Sequence, residues 1–200
     1  MVWYSKQDFD KALADFNEAL RLDPEYISAY IDRGNVWQYK KEYDKAIADY
    51  NEVQRLDPKL AIPYNNRGNV WKALHEYDKA LADYNKALQL DSAYVLAAVN
   101  IAVMHFQMRD TRAAESCQAV IDLQGWTGEY APYALIFGYQ SAMLLGDIER
   151  ANKFLSDSTG KLKTDWPYPL IQLLRGELDE QALVALATDN DKQSDVHFYL

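Results

Sequence analysis

The sequence is poor in the residues that build staples, metal centres and membrane spans. Cys117 is its one cysteine in 200 residues, so no internal disulfide can form and a reducing, cytoplasmic compartment is expected. No apolar run approaches the roughly 18 residues that a membrane-spanning helix needs. The opening MVWYSKQDFDKAL has neither the basic leader nor the apolar run of a secretory signal. Basic residues are the minority charge, 21 Lys and Arg against 30 Asp and Glu, for a net charge of −9. Residues 1–94 carry 13 bases and 16 acids, residues 95–200 carry 8 and 14. Phosphate neutralisation needs clustered Lys and Arg, so nucleic acid is not an expected partner. The three histidines, His75, His105 and His197, stand far apart without His-Glu-x-x-His or Cys-x-x-Cys spacing, and no metal site is expected. Thr159-Gly160-Lys161 lacks the upstream glycine and following hydroxyl of a phosphate-binding loop. With no nucleophile beside a base, neither enzymatic activity nor a cofactor is expected. His105, on an apolar helix face, reads as a packed core residue, and Cys117 as a small buried thiol.

Present instead are 15 tyrosines, 49% apolar residues and a period of 34. Ile27–Leu60 and Ala61–Tyr94 agree at 17 of 34 positions. The shared core is Tyr30, Arg33-Gly34-Asn35-Val36-Trp37, Glu42-Tyr43-Asp44-Lys45-Ala46, Ala48-Asp49-Tyr50-Asn51 and Leu56-Asp57, matched by Tyr64, Arg67 to Trp71, Glu76 to Ala80, Ala82 to Asn85 and Leu90-Asp91. Each unit has room for two helices of about 14 residues with a 3.6-residue apolar period. Gly34 and Gly68 fall mid-helix, at about 1 kcal/mol each against Ala, which implies that a partner helix approaches closely there. Ala46 and Ala80 are expected to be the small residues opposite, with Trp37, Tyr43 and Tyr50 filling the crossing. A single hairpin cannot bury both its faces, so neighbouring units must stack.

The period, the aromatic and small positions and the Asp-Pro terminator together resemble the tetratricopeptide repeat. That resemblance implies an all-α fold, a right-handed superhelical solenoid of antiparallel helix hairpins. Met1–Tyr26 matches positions 9–34 of the unit, a truncated first repeat. Residues 27–60 and 61–94 are full repeats. Residues 95–124 form a degenerate one, in which Ala102, His105 and Gln118 replace the glycine, tryptophan and tyrosine. Its helices are expected at 93–108 and 111–123. Asp23 and Asp57 are expected to cap the following helices, with Pro24 and Pro58 at their first positions. Residues 125–200 read as irregular hairpins: a helix over 129–145, a turn at Gly146-Asp147, a helix through Phe154, a polar loop over 156–164, and helices at 170–175 and 179–187. A last helix starts near Val196 and is cut at Leu200. This part is similar to divergent repeat segments of bacterial scaffold proteins of the NlpI type. Both ends look like unfinished repeats, and a fragment of a longer protein is expected.

In the family resembled, the first helix of each hairpin lines a concave groove through positions 2, 5, 6, 9, 12 and 13. The candidate groove residues are Ile31, Asn35, Ile62, Asn65, Asn66, Asn69, Lys72, Leu96, Val99, Asn100, Val103 and Phe106. Asn35, Asn66, Asn69 and Asn100 would form a row of amides, able to donate to and accept from the backbone of an extended peptide; the alternative is a merely solvated helix face. The family's two-carboxylate clamp needs Lys at position 5 and Lys and Arg at positions 2 and 6 two repeats later. Ile31, Leu96 and Asn100 stand there, so chaperone-tail binding is not expected. The expected function is a non-enzymatic interaction scaffold holding a partner peptide or helix in the groove. The alternative is self-association, or assembly within a larger repeat protein through exposed end helices.

Overall fold

In the two full repeats the second helix buries apolar side chains at i, i+4 and i+7, a tyrosine at the centre, and these set the packing. The computed structural model describes residues 6–162, 167–177 and 181, with side chains from residue 9 onward in those ranges. Among the described residues there are helices and turns and no strand. Contacts divide the chain into two compact units, residues 1–97 and 98–200.

The first unit contains α1 (Lys6–Leu22), α2 (Ile27–Tyr39), α3 (Tyr43–Leu56), α4 (Ile62–Ala73) and α5 (Tyr77–Leu90). Helices α2 and α3 form one hairpin, α4 and α5 the next, with α3 packed on α4 and α1 on α2. On α3 the inward residues are Ala46, Tyr50 and Val53, and on α5 they are Ala80, Tyr84 and Ala87; all six are fully buried. Val70 of α4 closes over Ala46 and Tyr50. Burying each tyrosine ring stabilises the array by about 1.5–3 kcal/mol. Gly34 makes room for the Tyr50 ring: a Cβ there would lie 2.7 Å from Tyr50 Cε1. At Gly68 the same distance to Tyr84 Cε1 is 2.6 Å. The close approach inferred from these glycines is therefore present. The atoms nearest each glycine belong to the tyrosine ring sixteen residues on, which fills the crossing as expected of Tyr50, while Ala46 and Ala80 are buried on the same helices.

The hairpins α2–α3 and α4–α5, and the turn at Arg109 in the second unit, use a Schellman motif without glycine. Lys41 and His75 adopt φ of 61°, and Arg109 in the second unit 53°. The amides of Glu42 and Glu76 donate back to the carbonyls of Trp37 and Trp71, each at 2.9 Å, closing the first helices. Asp23 and Asp57 do not cap as expected, and Asp91 behaves as they do. Each carboxylate accepts from the backbone N–H two residues on, at 3.0 Å, folding an Asx turn. Helix α2 then starts three residues beyond Pro24 and α4 four beyond Pro58, without a side-chain cap.

A ladder of ion pairs sets the spacing of the hairpins. Arg33 of α2 donates to both oxygens of Asp49 on α3, at 2.9 and 2.6 Å, and to Asn17 on α1 at 2.7 Å. One repeat later Arg67 donates to both oxygens of Asp83, at 2.8 and 2.6 Å, and to Asn51 and Gln54 on α3. Each guanidinium thus joins its own hairpin to the second helix of the preceding one, and both aspartates are buried. A further 34 residues on, the same two positions hold Ile101 and Cys117, both buried. The polar ladder ends where the first unit does.

Helix α6 (Val95–Gln107) carries the chain into the second unit, which continues with α7 (Ala113–Gln124), α8 (Ala131–Leu144), α9 (Ile148–Asp157) and α10 (Tyr168–Leu174). These bounds follow the expected helices to within three residues, and the turn falls at Gly146, with φ 73°. Helix α8 packs on α7 and α9. Gly138 lies under the Phe154 ring as Gly34 lies under Tyr50. Of the helix expected at 179–187 only residue 181 is described, as helical, and the helix expected from Val196 lies outside the described residues.

Candidate functional site

The first-helix face of the first unit presents the expected amides, and the second helices beneath decide which way each one points. The Tyr50 hydroxyl donates to Asn35 Oδ1 at 2.8 Å, and Asn66 Nδ2 donates to the same oxygen at 3.0 Å. The Tyr84 hydroxyl makes the equivalent bond to Asn69 Oδ1, also 2.8 Å. Burial raises both tyrosine hydroxyls well above the ordinary phenol range, so they stay protonated and remain donors. The tyrosine hydroxyls thus engage the oxygens of Asn35 and Asn69, and both asparagine side chains are half-buried.

Other expected residues fall into distinct settings. Asn66 is engaged through both ends, since its oxygen accepts from Asn65 Nδ2 at 3.3 Å. Asn65 itself is 3% exposed and presents almost no surface to a ligand. Ile31 is half-buried, while Ile62 and Leu96 are exposed. Desolvation pushes the pKa of the Lys72 ammonium down and that of the Asp32 carboxyl up.

In the second unit, Val99, Asn100, Val103 and Phe106 are half-buried. Phe106 stacks on Phe137 of α8, with ring centroids 4.6 Å apart and planes inclined by 28°. Val99 and Val103 face Tyr133 and Phe137 across a depression. Sequence reasoning missed the α8 aromatics because the 34-residue register has lapsed there; the signal available was the spacing of Tyr130, Tyr133 or Ala134, and Phe137 along one helix face. It also missed the orienting role of Tyr50 and Tyr84, although both recur fifteen residues after their asparagines.

No group of three or more potential metal ligands occurs among the described residues. His105 is buried, with Nδ1 2.7 Å from Ser116 Oγ, and burial lowers its pKa. The Cys117 thiol is fully buried and pushed up to about 12, so it is not a nucleophile at neutral pH. None of the helices described is long and apolar enough to cross a membrane.

The family profile described as tetratricopeptide repeat matches residues 27–60 and 61–94, and a second, described as TPR repeat, matches residues 2–38. No curated protein sequence matches the chain. Among solved structures, the chain is similar to the Pseudomonas aeruginosa pilF protein, at 16% identity with a TM-score of 0.69, covering 98% of this chain and 91% of that one. It is similar to MamA at 19% identity and TM-score 0.66, covering 76% and 88%. The TPR2B domain of yeast Sti1, from a complex with pHsp70, is similar at 22% identity and TM-score 0.54, covering 59% and 97%. At these identities the likeness establishes the fold, an all-helical solenoid of helix hairpins.

Proposed function

The chain is a tetratricopeptide-repeat protein, and on that premise we propose that it is a non-enzymatic scaffold whose first-helix face holds an extended, largely uncharged segment of a partner protein. The observation that carries this reading is the orientation of the amides. Tyr50 and Tyr84 occupy the oxygens of Asn35 and Asn69, leaving an N–H donor from each of two successive repeats. Donors repeated at a fixed structural interval suit the carbonyls of an extended backbone, whatever its side chains. Ile31 and Ile62, one in each of these two repeats, add apolar surface beside the donors for the partner's side chains. Lys72 and Asp32 give these face positions one charge of each sign, which suits a peptide with little net charge. A pHsp70 complex is recorded for the Sti1 domain, which shows that this fold can hold a protein partner.

The test is an isosteric exchange. Peptides selected from a random library on the intact protein would be titrated calorimetrically against wild type, Asn35→Asp and Asn69→Asp. An aspartate oxygen still accepts from the tyrosine hydroxyl, so the fold keeps its bond, but the outward donor becomes an acceptor. Each exchange is expected to weaken binding by about tenfold, the upper range for one net hydrogen bond. Selected peptides that bind both variants as tightly as wild type would show that the amides are only a solvated helix face.

A further inference from the structure

The second unit holds a cavity that the repeat pattern does not require. It lies between α6, α7 and α8, with Val99 and Val103 on one wall, Tyr133, Ala134 and Phe137 on the other, and Cys117 among the lining. Its volume is 170 Å³, its exposed wall is wholly apolar, and it opens to solvent on one side. Close-packed interiors seldom leave a void larger than a water molecule, and an apolar void of about 150 Å³ stays dry and takes up benzene. Water gains nothing here, because it would need two or more polar partners. A charged group is excluded for the same reason: no cation or carboxylate lines the site.

The void follows from the lapse of the repeat. In the first unit the position of Cys117 is held by Asp49 and Asp83, each paired with an arginine, and the position of Ala102 by a glycine that receives a tyrosine ring. In the second unit Gln118 replaces that tyrosine, so no ring from α7 fills the space, and Tyr133 and Phe137 stand at its edge.

We infer that this cavity is a binding site for one neutral apolar group about the size of a benzene ring. Such a group could be a free small molecule or an aromatic or branched aliphatic side chain of a bound peptide. The site includes Val99 and Val103 of the candidate groove, but its test needs no partner. Failure here would leave the amide donors of the first unit standing, and the reverse also holds.

The experiment uses the full chain with 13C-labelled alanine and valine methyls. Toluene, the phenylalanine side chain as a free molecule, is expected to shift the methyls of Val99, Ala102, Val103 and Ala134 in a saturable way, through ring currents. Benzoate, of similar size but charged, is expected to leave them in place. Two separate cavity-filling variants, Ala102→Leu and Ala134→Leu, control for folding, which is read from helical circular dichroism. A variant that keeps its helix content is expected to lose the toluene response at the remaining methyls. A blocked Ala-Phe-Ala peptide, set against blocked Ala-Ala-Ala, separates the sources: displacement of toluene by the former alone assigns the site to a peptide side chain, and no displacement assigns it to a free molecule. The inference is overturned if toluene moves none of these methyls, if benzoate moves them equally, or if a folded filled variant responds as wild type does.

Discussion

Replacing Arg67 by Ile should destabilise the first unit severely, and adding Asp83→Cys should restore most of the loss. The chain itself makes this double exchange one repeat later, at Ile101 and Cys117. Asp83 has a side chain 9% exposed and receives two guanidinium bonds from Arg67. Removing the arginine strands that carboxylate in a buried site, at a cost of about 3–5 kcal/mol. Asp83→Cys alone leaves Arg67 with its bonds to Asn51 and Gln54 and with a side chain 20% exposed, so it should cost only about 1–3 kcal/mol. If the two costs were independent they would add. A buried pair replaced by apolar residues of similar volume is often close to neutral, so the double variant should lie within about 2 kcal/mol of wild type. Part of that remainder is the Arg67 guanidinium 5.7 Å above the Tyr64 ring, a contact worth about 0.5–1 kcal/mol at a partly exposed site. Urea unfolding followed by circular dichroism under reducing conditions gives all four corners of the cycle. A double variant as unstable as the sum of the singles would refute the reasoning, because the aspartate would then be held by something other than its arginine.

Gly68→Ala gains about 1 kcal/mol of helix propensity, yet should lower stability overall, since its Cβ would meet Tyr84 at 2.6 Å and overpacking costs about 1–3 kcal/mol. In a Tyr84→Leu background the same change should become neutral or stabilising, and an unchanged penalty there would exclude the ring as its cause. His105 yields a pH dependence. Burial lowers its folded pKa below the ordinary 6.5, so the unfolded chain binds the extra proton first, and stability is full above that value and declines as pH falls through it toward the folded pKa. Arg112 disfavours the imidazolium and Asp110 favours it, while Ser116 is the hydrogen-bond partner. The Tm of wild type should therefore fall more between pH 7.5 and 5.5 than that of His105→Gln, and parallel profiles would assign the loss to other groups.

The helices of residues 27–94 were legible because the same residues recur at the same register, and each recurrence restates one packing requirement. The second unit was legible through helix periodicity and turn residues, which located its helices without revealing what they enclose. Local signals misled at Asp23 and Asp57, since Asp-Pro is compatible with both a helix cap and an Asx turn, and the carboxylate bonds to the nearer amide. The reading placed both Ala46 and Tyr50 at the Gly34 crossing, but spacing alone did not tell that the Tyr50 ring is what lies nearest the glycine. The ladder was present in the letters, as Arg33 with Asp49 and Arg67 with Asp83, but charged residues on helices are usually solvated, and only burial distinguishes these. Amide direction was beyond sequence altogether, because it depends on which rotamer lets a tyrosine hydroxyl from another helix reach the oxygen.

The ladder also has a direction. Every arginine grips an aspartate of its own hairpin and an asparagine or glutamine of the hairpin before it, so each repeat supplies a socket to its successor and a plug to its predecessor. A copy of residues 27–60 placed after Leu60 would meet Asn51 behind it and offer its own Asn51 ahead, repeating the arginine contact the chain already makes, with Asp32 of the copy standing where Asn66 now meets Asn35. Growth by duplication is thus open at that seam. One repeat later Asn85 is turned to its own helix, donating to the carbonyl of Leu81, and position 101 carries isoleucine in place of the arginine.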